Sequence, residues 1–534
     1  MPMIRAPQRT SFLRRPHGTA RKALDSARKP DGFTMIVTLG VMFVAGILLA
    51  AAFTAAGGDI ALTRKNTAQK QAYYAAVAGI QYYEYKLQTN PDYWEKCPEP
   101  NGSVKTSEVA AGTYKVKMLA AKSGEKLGIT HCETAKPFES VIEKETGAAS
   151  NSFRIESTGE VEKAKRTLVA TFQVTGFLNY VYFTRYETED PQLYYPESAG
   201  CGEKYYSERK SNCTTIEFTE GDSVYGPMHT DDASDVCGEV VFGREGHSDL
   251  IEINGGIYHA GCTGKAVFNG TFTEKGAVLI PPQSDQSLES YAESEDLLSG
   301  VTHLVLEGTQ ITETTYTGKK VVLKWPTNGL IYVSGVKGQA CSIKYEQQNS
   351  DTTKEQSEET YCGNVYVSGT YSSPLTIGAA NDVIINGNLE PTGVTPPALP
   401  SNSSTVTLGL IANEYVRIYH PVEEVCEGGR GGCNTVNASG SLYKPWIYAG
   451  ILATQHSFLV DNDNVGEPLE ELNIVGAIAQ NYRGIVGTGG GRSYTGYLKD
   501  YKYDERLAVD EPPFFLSPLN SGWKVIRETA PAAG

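Results

Sequence analysis

The sequence predicts a mainly β protein carried on one long N-terminal α-helix, with a small antiparallel sheet and then a right-handed parallel β-helix-like solenoid. Three observations point there. The uncharged run from Phe33 to Gly58 continues, without proline, into a segment rich in helix formers. A pattern of alternating apolar residues follows within 101–190, ending in a hairpin. From about residue 220 to 490, short β-rich runs are separated by Gly and Asn, with no helical-length segment between them. Such spacing is that of an all-β architecture.

The chain begins with a basic leader, residues 1–32, holding eight Lys and Arg against Asp25 and Asp31. The run after it, 33–58, exceeds the apolar core of a signal peptide and is long enough to span a bilayer. By the positive-inside rule the leader stays cytoplasmic and the remainder is extracellular. The formal charge of the whole chain is −15, so with +6 in the leader the rest carries −21. That excess argues against nucleic acid and anionic membrane surfaces as partners through bulk charge.

Residues 59–100 form a helical stem. Ala61, Ala68, Ala72, Ala75, Ala76, Ile80 and Tyr83 recur at three- and four-residue spacing, as an amphipathic helix requires. Span and extension together give about 56 residues, roughly 84 Å of helix. A simple anchor has no need of that length. Gly32-Phe33 directly before the apolar run, after a basic leader, resembles the prepilin-peptidase site of type IV pilins and pseudopilins, where cleavage follows the Gly. The stretch "AYYAAVAGIQYYEYKL" resembles the matching segment of PilX-type minor pilins. Val37 stands where major pilins carry a Glu that pairs with a neighbour's N-terminus, so the resemblance is to minor subunits. It implies membrane anchoring by a single span, processing by a prepilin peptidase at Gly32 and Phe33, and partnership with other pilin subunits through the N-terminal helix. Ala75, Ala76, Ala78 and Gly79 are then expected to mark where neighbouring helices approach.

Residues 101–190 read as a pilin-like head. Its hairpin alternates Phe153 and Ile155 with polar residues, breaks from Ser157-Thr158-Gly159, and alternates again at Leu168, Ala170, Phe172 and Val174. Residues 191–500 read as the solenoid. Apolar neighbours such as those in "DVIINGNL" and "TLGLIANEY" end at small residues, as stacked coils with a continuous core would. A set of sandwiches would show more regular hairpins, although no strict period can be counted. The Pro-rich tail, 501–534, is expected to cap the end of the solenoid.

Ten cysteines lie beyond the span: Cys97, Cys132, Cys201, Cys213, Cys237, Cys262, Cys341, Cys362, Cys426 and Cys433. Their even count in an exported chain favours disulfides. Sequential pairing is simplest, though spacing does not fix connectivity. Metal is disfavoured because no CxxC occurs, and no cofactor motif stands out. The Gly-rich "CEGGRGGC" lacks the Lys-Ser/Thr of a phosphate loop.

Catalytic candidates are Asp231-Asp232, Asp382 and Asp461-Asn462-Asp463, with His229, His259, His420 and His456 as bases. Turn Asp and Asn usually serve local hydrogen bonds, so the expectation is a protein that is not an enzyme. An open cleft with three carboxylates on one face would reverse it. Tyr is in excess, 32 against 16 Phe and 4 Trp, which suits an adhesive surface for a polysaccharide or a host or environmental ligand. The alternatives to a filament subunit are a static cell-surface anchor with the same ectodomain, or a polysaccharide-active β-helix enzyme built on these acids and histidines.

Overall fold

The computed structural model describes residues 33–90, 93, 98–106, 110–119, 152–174, 176–193, 200–202, 204–210, 213–214, 216–341, 360–426, 433–490, 493–508, 510–520 and 523–529. The leader with Gly32 lies outside them, as do Cys97 and Cys132. The chain divides into two compact units, 1–68 and 69–534, and is mainly β. One 57-residue helix, α1 (Phe33–Thr89), runs through both. In the first unit Met35–Thr54 is apolar, wholly exposed and long enough to cross a membrane.

In the second unit, α1 packs on a five-stranded antiparallel sheet in the order Asn101–Thr106, Ala110–Leu119, Ser152–Val161, Ala164–Val174, Trp523–Thr529. Ala76, Ile80, Tyr83 and Leu87 meet Val116, Met118, Ile155, Ala170 and Phe172 in a common core. The expected break at Ser157-Thr158-Gly159 is instead continuous strand, and the turn falls at Glu162-Lys163, with Glu162 at φ 54°. Gly159 is there because the helix comes so close: a Cβ on it would strike the backbone of Ala72 and Ala76. Ser157 donates to the Ala76 carbonyl at 2.8 Å. The small residues on this part of the helix therefore serve its own sheet, and Ala75, Ala76 and Gly79 are buried there. They do not mark the approach of a neighbouring subunit.

Most of the remaining strands form ladders of parallel pairs. The longest runs, in spatial order, through Leu297–Ser299, Leu330–Ser334, Leu375–Ala379, Leu408–Ala412, Trp446–Ala453, Glu471–Tyr482, Tyr182–Tyr186, Met228–Thr230, Leu250–Ile253 and Thr271–Thr273. A second joins Thr302–Gly308, Val365–Tyr371, Val383–Pro391, Val416–Ile418 and Phe458–Val460. A third continues from Glu471–Tyr482 through Leu498–Tyr503, Ser223–Tyr225 and Ser234–Phe242 to Gly264–Phe268. Successive coils thus stack in register, with Ile251, Ile331, Ile377, Leu410, Ile451 and Ile478 among the residues filling one continuous core.

Stack order is not chain order. The chain joins the stack in its middle at Tyr182, well before the expected boundary at 191, and builds outward to Thr273. It then crosses to the opposite end at Leu297 and works back until Ile478 pairs with Tyr182 and Asp500 with Ser223. Both sides of the longest ladder are covered. Its outward residues Phe183, Tyr332, Ile411, Leu452 and Ala479 pack under Phe177, Leu178, Leu279, Leu288, Leu507 and Phe515. Burial on both sides explains why these strands read as unbroken apolar runs. The 501–534 segment is accordingly not an end cap. Its first residues complete a middle coil, 504–520 contributes to the cover, and Trp523–Thr529 adds the last strand to the head sheet.

Among the described residues, eight cysteines form four disulfides, Cys201–Cys213, Cys237–Cys262, Cys341–Cys362 and Cys426–Cys433. Cys426–Cys433 closes the hairpin of Val422–Cys426 with Cys433–Asn437.

The joint at mid-stack is where buried charge is concentrated. Arg483 Nη1 donates to Glu187 Oε2 at 2.6 Å and its Nη2 to the Glu217 carbonyl at 3.0 Å, while the guanidinium lies 3.7 Å from the Phe218 ring centre. Lys499 Nζ donates to Asp222 Oδ2 at 2.6 Å. Removing one partner of a buried pair costs about 3–5 kcal/mol, whereas replacing both by apolar groups is often neutral. We expect Arg483→Met to lose about that much stability in denaturant unfolding, and Arg483→Met with Glu187→Leu to recover most of it. A single variant that melts like the wild type would show that the pair does not hold the joint.

Candidate functional site

The residues with catalytic chemistry are drawn into separate closed networks. His229, on the outward side of Met228–Thr230, is fully buried between two carboxylates. Its Nε2 lies 2.9 Å from Asp231 Oδ1 and its Nδ1 3.0 Å from Glu252 Oε2, which also accepts from the Tyr180 hydroxyl at 2.8 Å. Burial opposes a charge on this ring, but the two carboxylates outweigh it and raise its pKa. Asp231 is further held by the Leu279 amide at 3.1 Å, from the layer that covers the ladder. Asp232 turns away to accept from the amides of Glu187 and Tyr206 and to pair with Arg209. The His-Thr-Asp-Asp cluster is therefore a set of struts.

Asp382 and Asp461, which border the strands on either side of Val416–Ile418 in the second ladder, share its Arg417, at 3.2 and 3.3 Å. Asn462 donates to the His420 carbonyl, and Asp463 accepts from Thr488. His420 bridges the Asp461 carbonyl and Asn437, and His259 faces the Val236 carbonyl at 2.6 Å. His456 lies between Asp190, at 2.7 Å, and Glu414, at 3.1 Å, and stacks on Tyr415. Here too burial works against the charge, yet the two carboxylates lift the ring to about 9.

Two residue groups resemble metal ligand sets, Asp235 with Cys237 and Cys262, and Glu424 with Cys426 and Cys433. In both, the two sulfurs are joined as a disulfide, which removes the thiolates that a metal would require.

Two open grooves lie elsewhere and include none of the flagged residues. One, of about 730 Å³, is lined by polar residues of the head sheet, including Lys115, Lys117, Glu156 and Glu160. The other, of about 840 Å³, is on the solenoid and gathers Asp285, Glu289, Leu297, Tyr332, Lys337 and Asn413 from distant parts of the chain. Asp285 is fully buried, and its Oδ1 accepts from the Tyr332 hydroxyl at 3.1 Å. Burial pushes its carboxyl up to about 7, against the Tyr332 hydroxyl and the Ala379 amide, which favour the ionised form. Sequence reading passed over Asp285 because "PPQSDQS" looks like an ordinary polar turn. Only the crossing of 274–296 over the ladder places it beside Tyr332.

The raised histidines make stability depend on pH in a definite direction. His456 has a folded pKa near 9 and an unfolded value near 6.5, so its contribution is complete below about 6.5 and lost as pH rises through 9. Thermal unfolding from pH 6 to 10 should show a falling midpoint over that window, and His456→Gln should flatten the fall. An unchanged slope in the variant would remove His456 from the account.

No family model matches the sequence, and no curated protein matches it. Among solved structures, the crystal structure of the competence-associated pilin ComZ from Thermus thermophilus is similar over 87% of this chain and 97% of its own length. Identity is 12% and the TM-score 0.28, a likeness too low to carry an argument about fold or function.

Proposed function

We propose that the protein is a membrane-anchored minor subunit of a type IV pilus-like filament, displaying its solenoid for assembly or attachment. One observation carries this reading. The exposed apolar stretch Met35–Thr54 belongs to the same uninterrupted helix that packs on the head sheet. A plain anchor needs a span of about 20 residues and no rigid continuation. In a filament subunit, the span would be held in the membrane before assembly and against neighbouring helices after it. The basic leader and the Gly32-Phe33 junction support cytoplasmic placement of the N-terminus and removal of the leader by a prepilin peptidase. Display is favoured over catalysis because the flagged acids and histidines are committed to each other. The rival, a static surface anchor, differs only in what the helix does.

Beyond the residues that serve the head, α1 leaves Tyr73, Tyr74 and Tyr85 exposed, Tyr74 at 61%. These, in place of the alanines, are the surface that neighbouring subunits would meet. Mass spectrometry of the membrane-extracted protein should find Phe33 as the first residue. An intact Met1, or cleavage near Ala55, would discard the pilin reading. Tyr74→Lys should remain folded and membrane-bound but be depleted in sheared filament fractions. If wild type never enters those fractions, the static anchor takes its place.

A further inference from the structure

We propose that the 840 Å³ groove on the solenoid is a binding site for a neutral saccharide, with Asp285 and Asn413 as its hydrogen-bond acceptors. Several buried charges of the solenoid are paired: Glu187 with Arg483, Asp222 with Lys499, Asp382 and Asp461 with Arg417, Asp504 with Arg506. The groove holds two acceptors that are not. Asp285 Oδ2 has no solvent exposure and no partner in hydrogen-bond geometry, and the same is true of Asn413 Oδ1. A buried acceptor left unpaired costs about 1–3 kcal/mol, and such groups are few in native proteins. Two line one groove.

With Asp285 ionised both orphan atoms are acceptors, so what satisfies them must bring donors. With Asp285 and Glu289 against a single Lys337, the groove repels phosphates and carboxylates. Its volume falls in the range of small-molecule sites, about 300–1,000 Å³, and exceeds what one ion occupies. Leu297, about one-third exposed, offers apolar surface beside the polar groups. A sugar ring matches this combination, because its hydroxyls donate at the edge while its C–H face covers an aliphatic side chain. The raised carboxyl of Asp285 belongs to the same picture: burial outweighs the Tyr332 hydroxyl and the Ala379 amide, which favour its ionised form. This site belongs to the solenoid alone and does not depend on the filament reading.

The test uses the full chain in detergent, titrated by calorimetry with maltotriose, cellotriose and chitotriose, and separately with calcium chloride. At least one trisaccharide should bind with a Kd of about 1 mM or tighter. Asp285→Asn keeps an acceptor for Tyr332 but presents an amide donor in place of Oδ2, so affinity should fall roughly tenfold or more. Asn413→Ala should weaken binding in the same direction. Neither variant should lower the thermal midpoint, since each removes an unsatisfied buried acceptor and not a strut. Wild-type affinity should rise between pH 6 and 8 as Asp285 ionises, and that rise should vanish in Asp285→Asn. The proposal is overturned if none of the three sugars binds at about 10 mM, if calcium binds and no sugar does, or if both variants bind like the wild type.

Discussion

The architecture depends on one joint, the meeting of Glu471–Tyr482 and Leu498–Tyr503 with Tyr182–Tyr186 and Ser223–Tyr225. Arg483 and Glu187 are 296 residues apart in the chain, and Lys499 and Asp222 are 277 apart. Apolar coils stacked in parallel resemble one another closely, and hydrophobic burial is non-directional. By itself it would let one coil dock on several others. A buried charge tolerates only a partner of opposite sign at hydrogen-bond distance, since the desolvation penalty is otherwise several kcal/mol. We take the pairs at this joint to specify which coils meet and in what register. Arg483 also reaches the carbonyls of Ile216 and Glu217, so the guanidinium is satisfied on both sides of the joint.

Closing the stack at its middle has consequences for the head. The chain leaves the head sheet at Val174 and returns to it at Trp523, and these two residues are direct partners in the sheet. The whole solenoid is thus an insertion between two adjacent antiparallel strands. Because the last coil ends beside the first, 504–520 can run back over the longest ladder to reach the head, and Phe515 becomes part of the ladder's cover. The Tyr503 hydroxyl donates to the Leu178 carbonyl at 2.8 Å, tying the outgoing segment to the incoming one. Had the coils stacked in chain order, the C-terminal strand would have had to span the stack to complete the sheet.

What could be read from the sequence was what is decided locally. The helix, the strands of the head and the β character of the remainder follow from periodicity within windows of ten to twenty residues. The four disulfides between neighbours in the chain likewise close short loops. Stack order was not legible, because runs such as Leu408–Ala412 and Leu375–Ala379 are interchangeable by composition and hairpins of different length interrupt the coils. The C-terminal strand was missed for the same reason: its partner is about 350 residues away, and "WKVIRET" carries no signal of that distance. Gly159 looked like a turn residue, although its purpose is the close approach of a helix that only the tertiary fold supplies. The acids and histidines could be named from the sequence. Which of them were paired could not, since Arg417 and Arg209 reach them from elsewhere in the chain.

The two ends of the stack differ in a way that bears on display. At the end that begins with Leu297–Ser299, the antiparallel strands Gln310–Thr314 and Lys320–Lys324 continue from Thr302–Gly308, and Ile311 is fully buried in the core they help close. At the other end, Gly264–Phe268 and Thr271–Thr273 each pair on one side only, among the described residues. An open parallel edge invites further strands, and proteins blunt such edges with charge and short strands. Here the terminal strands are five and three residues long. Lys265 pairs with Glu239 on the exposed side, and Phe268 stacks on Phe272 inward at 4.5 Å. Short strands, an outward charge and an inward aromatic pair favour a terminus over a template. The saccharide groove lies at the opposite end, where Leu297 and Tyr332 belong to the first two strands of the longest ladder. Leu297–Ser299, which lines that groove, pairs on one side only among the described residues, so its short free edge lies beside the two unpaired side-chain acceptors.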